Sequence, residues 1–378
     1  MSHDSHQRYT VVLHRDSYQR AERYLRSLQH RSKEPGLYLK RQINRFEGIS
    51  VVMFLEKLVQ TKSPQIFAES QVSGDGLDWN MEELRILGDV CIAAAVTVYD
   101  NGRHSMAKVH PEPFEGTLLF VAGALLRSRG RVPADWNEAV NKDGTWNKSG
   151  YFRLYERRLL PAFLHANAVA ASSGCPALVT IPGLGCGQFA GPFHGLMGKA
   201  LQGVLTKLLE KHHEELPHIR AVYYDPYGEC SNSRHEIGHI AFLVRPLLRG
   251  NESKPQLCSP SAFADENKPR EFDDCSLFSI VAWDHVSWPG NDYYLGARMT
   301  DDGVKAAATS VMFSMTGVEG KYNKRLQKYK PPSPYKTWGQ LVEEKDLRLH
   351  VADRLAVYPM VAPAWWLAVK ELTTTRWS

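Results

Sequence analysis

Two phrases of the chain carry residue types that do chemistry. The first is an apolar run, Leu178-Val179-Thr180-Ile181-Pro182, passing into Gly183-Leu184-Gly185-Cys186-Gly187-Gln188-Phe189-Ala190-Gly191. Glycines let a backbone turn tightly and approach a ligand closely. The amides of such a loop, and of a helix start behind it, point at anions, so a diphosphate is the natural guest. Gly185, Gly187 and Ala190 also fit G-x-G-x-x-A. A dinucleotide loop, however, expects an acid about 20 residues on, closing the next strand. Here that place falls in a helical stretch, and the first acid closing a strand is Asp225. The plain alternative is a glycine-rich turn that holds nothing.

The second phrase leaves the apolar run 276–283 as Asp284-His285-Val286-Ser287-Trp288-Pro289-Gly290-Asn291-Asp292-Tyr293-Tyr294-Leu295-Gly296 and continues to Asp302-Gly303. Asp284, Asp292 and Asp302 are spaced eight and ten residues apart. Crowded carboxylates raise one another's pKa, so one can keep a proton for a leaving group while another stays ionised. The plain readings are local: Asp301 or Asp302 caps the helix that follows, and Asp284 closes a strand in a turn. Trp283, Trp288, Tyr293 and Tyr294 form either an aromatic wall for a base or sugar, or ordinary core.

A third signal is His235-Glu236-Ile237-Gly238-His239, a literal H-E-x-x-H. On a helix it would place two histidines on one face for zinc, with the glutamate as base. Its flanks disagree, because Ile240-Ala241-Phe242-Leu243-Val244 reads as a strand and Gly238 weakens a helix. A loop running into a strand is expected, with no metal site.

The elements that must position these phrases alternate. Helical spacing covers 15–30, 151–172, 194–212 and 302–313; buried-strand runs cover 91–99, 117–121, 177–181, 221–224, 240–244 and 276–283. Short apolar strands alternating with helices make an α/β sheet covered on both faces. Residues 321–334 hold five Lys/Arg and then three prolines. They read as a basic linker, with a helix expected beyond it at 362–372.

Over 378 residues, 46 Lys+Arg stand against 41 Asp+Glu, a net charge of +5; 43% of residues are hydrophobic and 23% charged. That is ordinary globular usage and excludes wholesale disorder, collagen-like and low-complexity classes. No basic run accompanies a nucleic-acid motif, so neither DNA nor RNA is expected as partner. No apolar run approaches the ~20 residues of a membrane span, and the polar start shows no signal-peptide core. The six cysteines form no C-x-x-C. A cytoplasmic protein with reduced, structural thiols is expected.

Taken together, the glycine loop resembles the second phosphate loop of macrodomains, which bind ADP-ribose. The Asn291…Leu295-Gly296…Asp302-Gly303 pattern is similar to their first ligand loop. In most macrodomains that loop comes first, so a permuted or rearranged core is expected. Carboxylates at 284, 292 and 302 replace the asparagine and glycine of ordinary macrodomains. This resembles the MavL-type arginine-specific ADP-ribosyl hydrolases, a family of effectors that includes a Legionella member.

The resemblance implies a macrodomain-like α/β fold, a mixed sheet sandwiched by helices. The core spans 86–320, with a mainly helical extension at 1–85 and a basic linker and helix at 321–378. It implies hydrolysis of the N-glycosidic bond between ADP-ribose and a protein arginine, on a target such as ubiquitin. ADP-ribose is ligand and product, and no further cofactor is implied; a monomer is expected, and the effector resemblance is compatible with delivery into a host. Asp292 and Asp302 would meet ribose and guanidinium, and Asp284 the guanidinium or the water. Gly183, Gly185, Cys186, Gly187, Gln188, Phe189, Asn291, Tyr293 and Leu295 would line the ADP-ribose. A non-catalytic ADP-ribose reader is the alternative, since a reader needs no acid cluster; a zinc hydrolase on His235 and His239 is the third.

Overall fold

The computed structural model describes residues 6–128 and 130–360; the helix expected at 362–372 lies outside them. The chain opens with β1 (Tyr9–His14), then α1 (Arg15–Gln29), α2 (Leu37–Gln42), α3 (Val51–Val59), α4 (Ala68–Gln71) and α5 (Met81–Gly88). The α1 stripe Ala21, Tyr24, Leu25 and Leu28 is buried, as helical periodicity demands. Asn80 and Glu83 form a reciprocal capping box that starts α5.

Next come β2 (Cys91–Asp100), β3 (Val109–Ala122), α6 (Trp136–Ala139), α7 (Lys148–Ser173), β4 (Ala177–Pro182), α8 (Met197–His212) and β5 (Ile219–Asp225). Helix α7 stops at Gly174, which takes the left-handed φ of 71° that closes helices cheaply only in glycine. Then follow β6 (Ser233–Ile237), β7 (Ile240–Val244), β8 (Ser276–Trp283), α9 (Asp301–Ala308), α10 (Val311–Thr316), β9 (Lys321–Asn323), β10 (Lys328–Lys330), α11 (Trp338–Glu344) and β11 (Leu355–Tyr358).

Nine strands form one mixed sheet in the order β11-β1-β2-β3-β8-β4-β5-β7-β6. The run β3-β8-β4-β5-β7 is parallel throughout. The β3 and β4 ends are joined through α7, and those of β4 and β5 through α8; these two helices cover one face of the sheet, and α1, α3, α5, α9 and α10 pack in a second apolar layer on the other. Fully burying a large aliphatic or aromatic side chain stabilises by about 1.5–3 kcal/mol, and every residue of β4 is buried. Both terminal stretches enter the sheet: β1 pairs antiparallel with β2, and β11 pairs parallel with β1.

Two expectations change. The single helix expected over 302–313 breaks at Thr309, which is extended, because the Ser310 amide bonds to the Thr97 carbonyl of β2 instead. The basic stretch after residue 320 is a two-stranded ribbon, β9 with β10. Its tyrosines stack on the body, Tyr322 on Tyr99 at 4.7 Å and Tyr329 on Trp338 at 5.7 Å between ring centres. No helix among the described residues is long and apolar enough to cross a membrane.

Candidate functional site

Parallel strands deliver their C-terminal ends to one edge, where loops gather ligands. Here β8, which follows β7 in the chain, inserts between β3 and β4: Ala122 pairs with Trp283, and Thr180 with Ser279. The glycine loop leaving β4 and the acid loop leaving β8 are therefore neighbours.

The glycine loop is held by close backbone packing. Gly185 has φ +72°, and a Cβ there would lie 2.7 Å from the Tyr155 hydroxyl and 2.8 Å from the Ala124 amide nitrogen. The Tyr155 hydroxyl donates to the Leu184 carbonyl (2.6 Å) and accepts from the Ala124 amide (3.0 Å), tying this loop to the end of β3. The Leu126 amide donates to the Phe189 carbonyl at 2.8 Å. The amides of Gly187, Gln188 and Phe189 donate to no acceptor among the described residues. They are the free donors an anion needs.

Gln188 is exposed and meets the Arg127 guanidinium. Gly183 lies against Cys186, which is buried, and burial pushes that thiol up. A groove of about 750 Å³ runs along the outer side of this loop between Arg127, Trp136, Gln188 and His194. A second, of about 270 Å³, opens between 68–73 and 125–134. Neither is lined by Asp284, Asp292 or Asp302.

The three carboxylates do come together, and all are buried. Asp284 accepts from the Val286 and Ser287 amides (both 2.7 Å), the Ser287 hydroxyl (2.6 Å) and the Asn291 side-chain amide (3.1 Å). Asp302 accepts from the Gly290 amide (2.5 Å) and the Asn291 amide (3.1 Å). Burial, with Asp284 second and Asp292 and Asp301 behind it, holds the Asp302 carboxyl well above the usual carboxylate range. Asp292 accepts from the Met299 amide (2.8 Å) and the Thr300 hydroxyl (2.5 Å). A Cβ on Gly303 would fall 1.7 Å from an Asp292 oxygen, so glycine is required there. Asp301, not Asp302, bonds back to the Ala282 amide of β8 (2.8 Å), and Thr300 caps α9.

The other residues expected to line ADP-ribose are placed differently. The Asn291 side chain is taken up by the Ile66 amide, the Ile66 carbonyl and Asp284. The Tyr293 hydroxyl donates to the Tyr329 carbonyl (2.7 Å) and is buried. Leu295 is 64% exposed and faces a small cavity with Lys328, Lys330 and Trp338, away from the glycine loop. The H-E-x-x-H phrase is a β-hairpin turning at Gly238 (φ +59°), not a zinc-binding helix. His235 meets the Ser233 hydroxyl and His239 the Leu216 carbonyl. Among the described residues no three His, Cys, Asp or Glu side chains gather to hold a metal.

Four buried charged residues beside the loops were given no role by the sequence. Lys62, from the turn after α3, is buried; its ammonium donates to the His285 carbonyl (2.7 Å) and sits 4.0 Å from the Trp283 ring centre. Burial pushes its pKa down to about 7 against the pull of Asp284 and Asp302. Asp135, Arg158 and His285 form a second buried group. Arg158 clasps Asp135 (2.7 Å) and the carbonyls of Ala122 and Gly123, while His285 lies 3.2 Å from Asp135. Burial alone would raise Asp135, but Arg158 and His285 outweigh it and hold that carboxyl low. This group pins the end of β3 to the end of β8.

A family model described as macrodomain effector MavL matches residues 9–335. No curated protein matches the chain.

Proposed function

The chain belongs to the macrodomain effector MavL family, and from that premise we propose that it binds ADP-ribose and hydrolyses its bond to a protein arginine. The observation that carries this reading is the juxtaposition at one sheet edge. A loop with three free amides leaves β4 beside a loop from β8 that concentrates three carboxylates.

The chemistry divides between the loops. Free amides at 187–189 suit the diphosphate. A carboxylate suits a guanidinium bidentately and tolerates a developing oxocarbenium centre. Asp302, whose pKa burial and Asp284 raise, is the carboxyl best suited to give a proton to the leaving guanidine. Asp284 would face the cationic side or the attacking water. The reaction then needs water and no cofactor, and its substrate is an ADP-ribosylated protein such as ubiquitin, acted on by a single copy of the chain.

One observation favours a second reading. The three carboxylates are buried and already accept from their own loop. In that reading they shape the loop, and the chain is an ADP-ribose reader. Incubation with arginine-ADP-ribosylated ubiquitin, beside serine- and glutamate-linked conjugates, separates the two. Release from the arginine conjugate alone, lost in Asp302→Asn, is the expected result. Tight ADP-ribose binding with no release from any conjugate would leave the reader.

A further inference from the structure

Residues 320–342 hold six Lys/Arg and no Asp or Glu. Most of that charge lies on the β9–β10 ribbon. Lys321, Lys324, Arg325 and Lys330 are exposed, and neither they nor Lys336 make an ion pair among the described residues. Cations elsewhere do find carboxylates: Arg234 reaches Glu236, Asp265 and Glu271. Nearby acids do not offset the ribbon. Asp100 is taken by Arg298 and the Tyr322 hydroxyl, and Asp292 and Asp302 are buried in the acid loop. Unbalanced like charges on one face raise its potential and attract an anionic partner.

The same face exposes large apolar side chains. Leu295 and Met299 come from the acid loop, Leu326 from the ribbon turn and Met106 from the loop after β2; all four are at least half exposed. Arg298 stitches these segments together, donating to the carbonyls of Arg103 and Gln327, while the Gln327 side chain donates to the Ala107 carbonyl. Leu295, Leu326 and Trp338 line a hollow of about 260 Å³, with Lys328, Lys330 and Lys336 beside them. Its walls are fixed. The Tyr293 hydroxyl and the Trp338 indole both donate to the Tyr329 carbonyl (2.7 and 2.9 Å), and the Lys328 ammonium donates to the Gly296 carbonyl (2.6 Å). A surface already in place costs little ordering when a partner arrives, and exposed apolar groups rimmed by charge mark contact sites.

We propose that this face docks the modified protein through an acidic segment bearing one large apolar side chain. The segment's carboxylates pair with Lys321, Lys324, Arg325 and Lys330, and its apolar side chain enters the hollow. That the partner is the modified protein rests on the ADP-ribose reading; the chemistry of the surface does not. The hollow begins at Tyr293, next to Asp292 of the acid loop. A protein presenting an arginine to that loop therefore has the ribbon within reach of its flanking residues. A bilayer fits less well, because Leu295 and Leu326 border a hollow that takes a single side chain. Nucleic acid fits less well too, because the ribbon's Tyr322 and Tyr329 are stacked on Tyr99 and Trp338 and leave no ring for a base.

Two measurements on the full chain test this, one of them needing no ADP-ribose. In the first, fluorescence anisotropy follows two labelled peptides, one of Asp and Glu around a central Leu, the other with Lys in place of the acids. The acidic peptide should bind at least about tenfold more tightly at low salt. Joint Lys324→Glu and Arg325→Glu should abolish that preference, and Leu326→Ser should weaken the acidic peptide about fivefold. These are surface positions, so thermal unfolding should stay within about 2 °C of wild type. Equal binding of the two peptides, or an acidic-peptide affinity unmoved by the charge reversal or by Leu326→Ser, overturns the proposal. Sedimentation with phosphatidylserine vesicles in place of peptide binding also overturns it, in favour of a bilayer. In the second, the substrates are the acidic peptide carrying one ADP-ribosylated arginine and free ADP-ribosylarginine. The charge reversal should raise KM for the peptide about tenfold, with kcat and both constants for the free conjugate as in wild type. An unmoved peptide KM, or an equal change for both substrates, overturns the docking role. If wild type releases ADP-ribose from neither, the hydrolase reading has failed, and the anisotropy alone decides the surface.

Discussion

Replacing Asp292 by alanine separates a carboxylate that shapes a loop from one that merely lies near it. Asp292 is 1% exposed, and its two oxygens take the Met299 amide at 2.8 Å and the Thr300 hydroxyl at 2.5 Å. Thr300 in turn caps α9 by accepting from the Gly303 amide at 3.0 Å. Hydrogen bonds to an ionised group contribute about 1.5–3 kcal/mol each. Met299 is 69% exposed, so its amide can turn to water, and the lower end of that range applies to it. The Thr300 bond is enclosed and takes the upper end. The expected loss is about 4.5 kcal/mol, or roughly 5–6 °C in Tm for a chain of this size. Gly303→Ala should cost a similar amount, because its new methyl would overlap an Asp292 oxygen. The two changes compete for one space, so the double variant should lose clearly less than the two single losses added together. Thermal scans of the four proteins at pH 7 make the comparison. An Asp292→Ala protein within about 1 °C of wild type, or strictly additive losses, would refute the reasoning.

Gly185→Ala forces a side chain into a left-handed conformation (φ +72°) and against the Tyr155 hydroxyl. It should destabilise by about 2–4 kcal/mol and weaken ADP-ribose binding at least tenfold by calorimetry; wild-type affinity would remove the glycine loop from the ligand site. Asp302 sets a pH dependence. Its folded pKa is raised above the unfolded value of about 3.9, so its stabilising contribution is complete below that value and is lost as pH rises through the folded pKa. Asp302→Asn cannot ionise. Its stability relative to wild type should therefore rise between pH 5 and pH 8 in denaturant titrations, and a difference that does not change with pH would contradict the assignment.

Much of the site's local chemistry was legible, because each phrase carries its own punctuation. Gly183–Gly191 must turn, and 276–283 must be a buried strand. Their adjacency was not legible, since β8 reaches β4 only by inserting between strands that precede β5 in the chain, and no local rule encodes that pairing. Lys62 was invisible for a different reason: Thr61-Lys62-Ser63 after an apolar helix reads as a solvated turn, and only burial reveals the anomaly. The basic stretch held a signal that charge concealed. Lys328-Tyr329-Lys330 alternates with period two, and Tyr329 alone of the three is buried, as an amphipathic strand requires. Asn291 and Tyr293 look like ligand residues in the string, yet their polar atoms are consumed by Ile66, Asp284 and Tyr329.

The two loops therefore differ in readiness, and that difference bears on mechanism. The glycine loop presents donors with no acceptor among the described residues, as the proposed diphosphate contact needs. The acid loop has its carboxylates engaged by the amides of 286, 287, 290, 291 and 299. A guanidinium can reach them only by displacing some of those bonds. A ligand shifts such an equilibrium only by its differential affinity for the opened form, and a cation facing three acids has that affinity where free ADP-ribose has none. The arginine-linked conjugate should then open the loop while the free product leaves it closed. In the proposed reaction, selectivity for the linkage would thus arise in the loop, and affinity for the nucleotide on the neighbouring strand end.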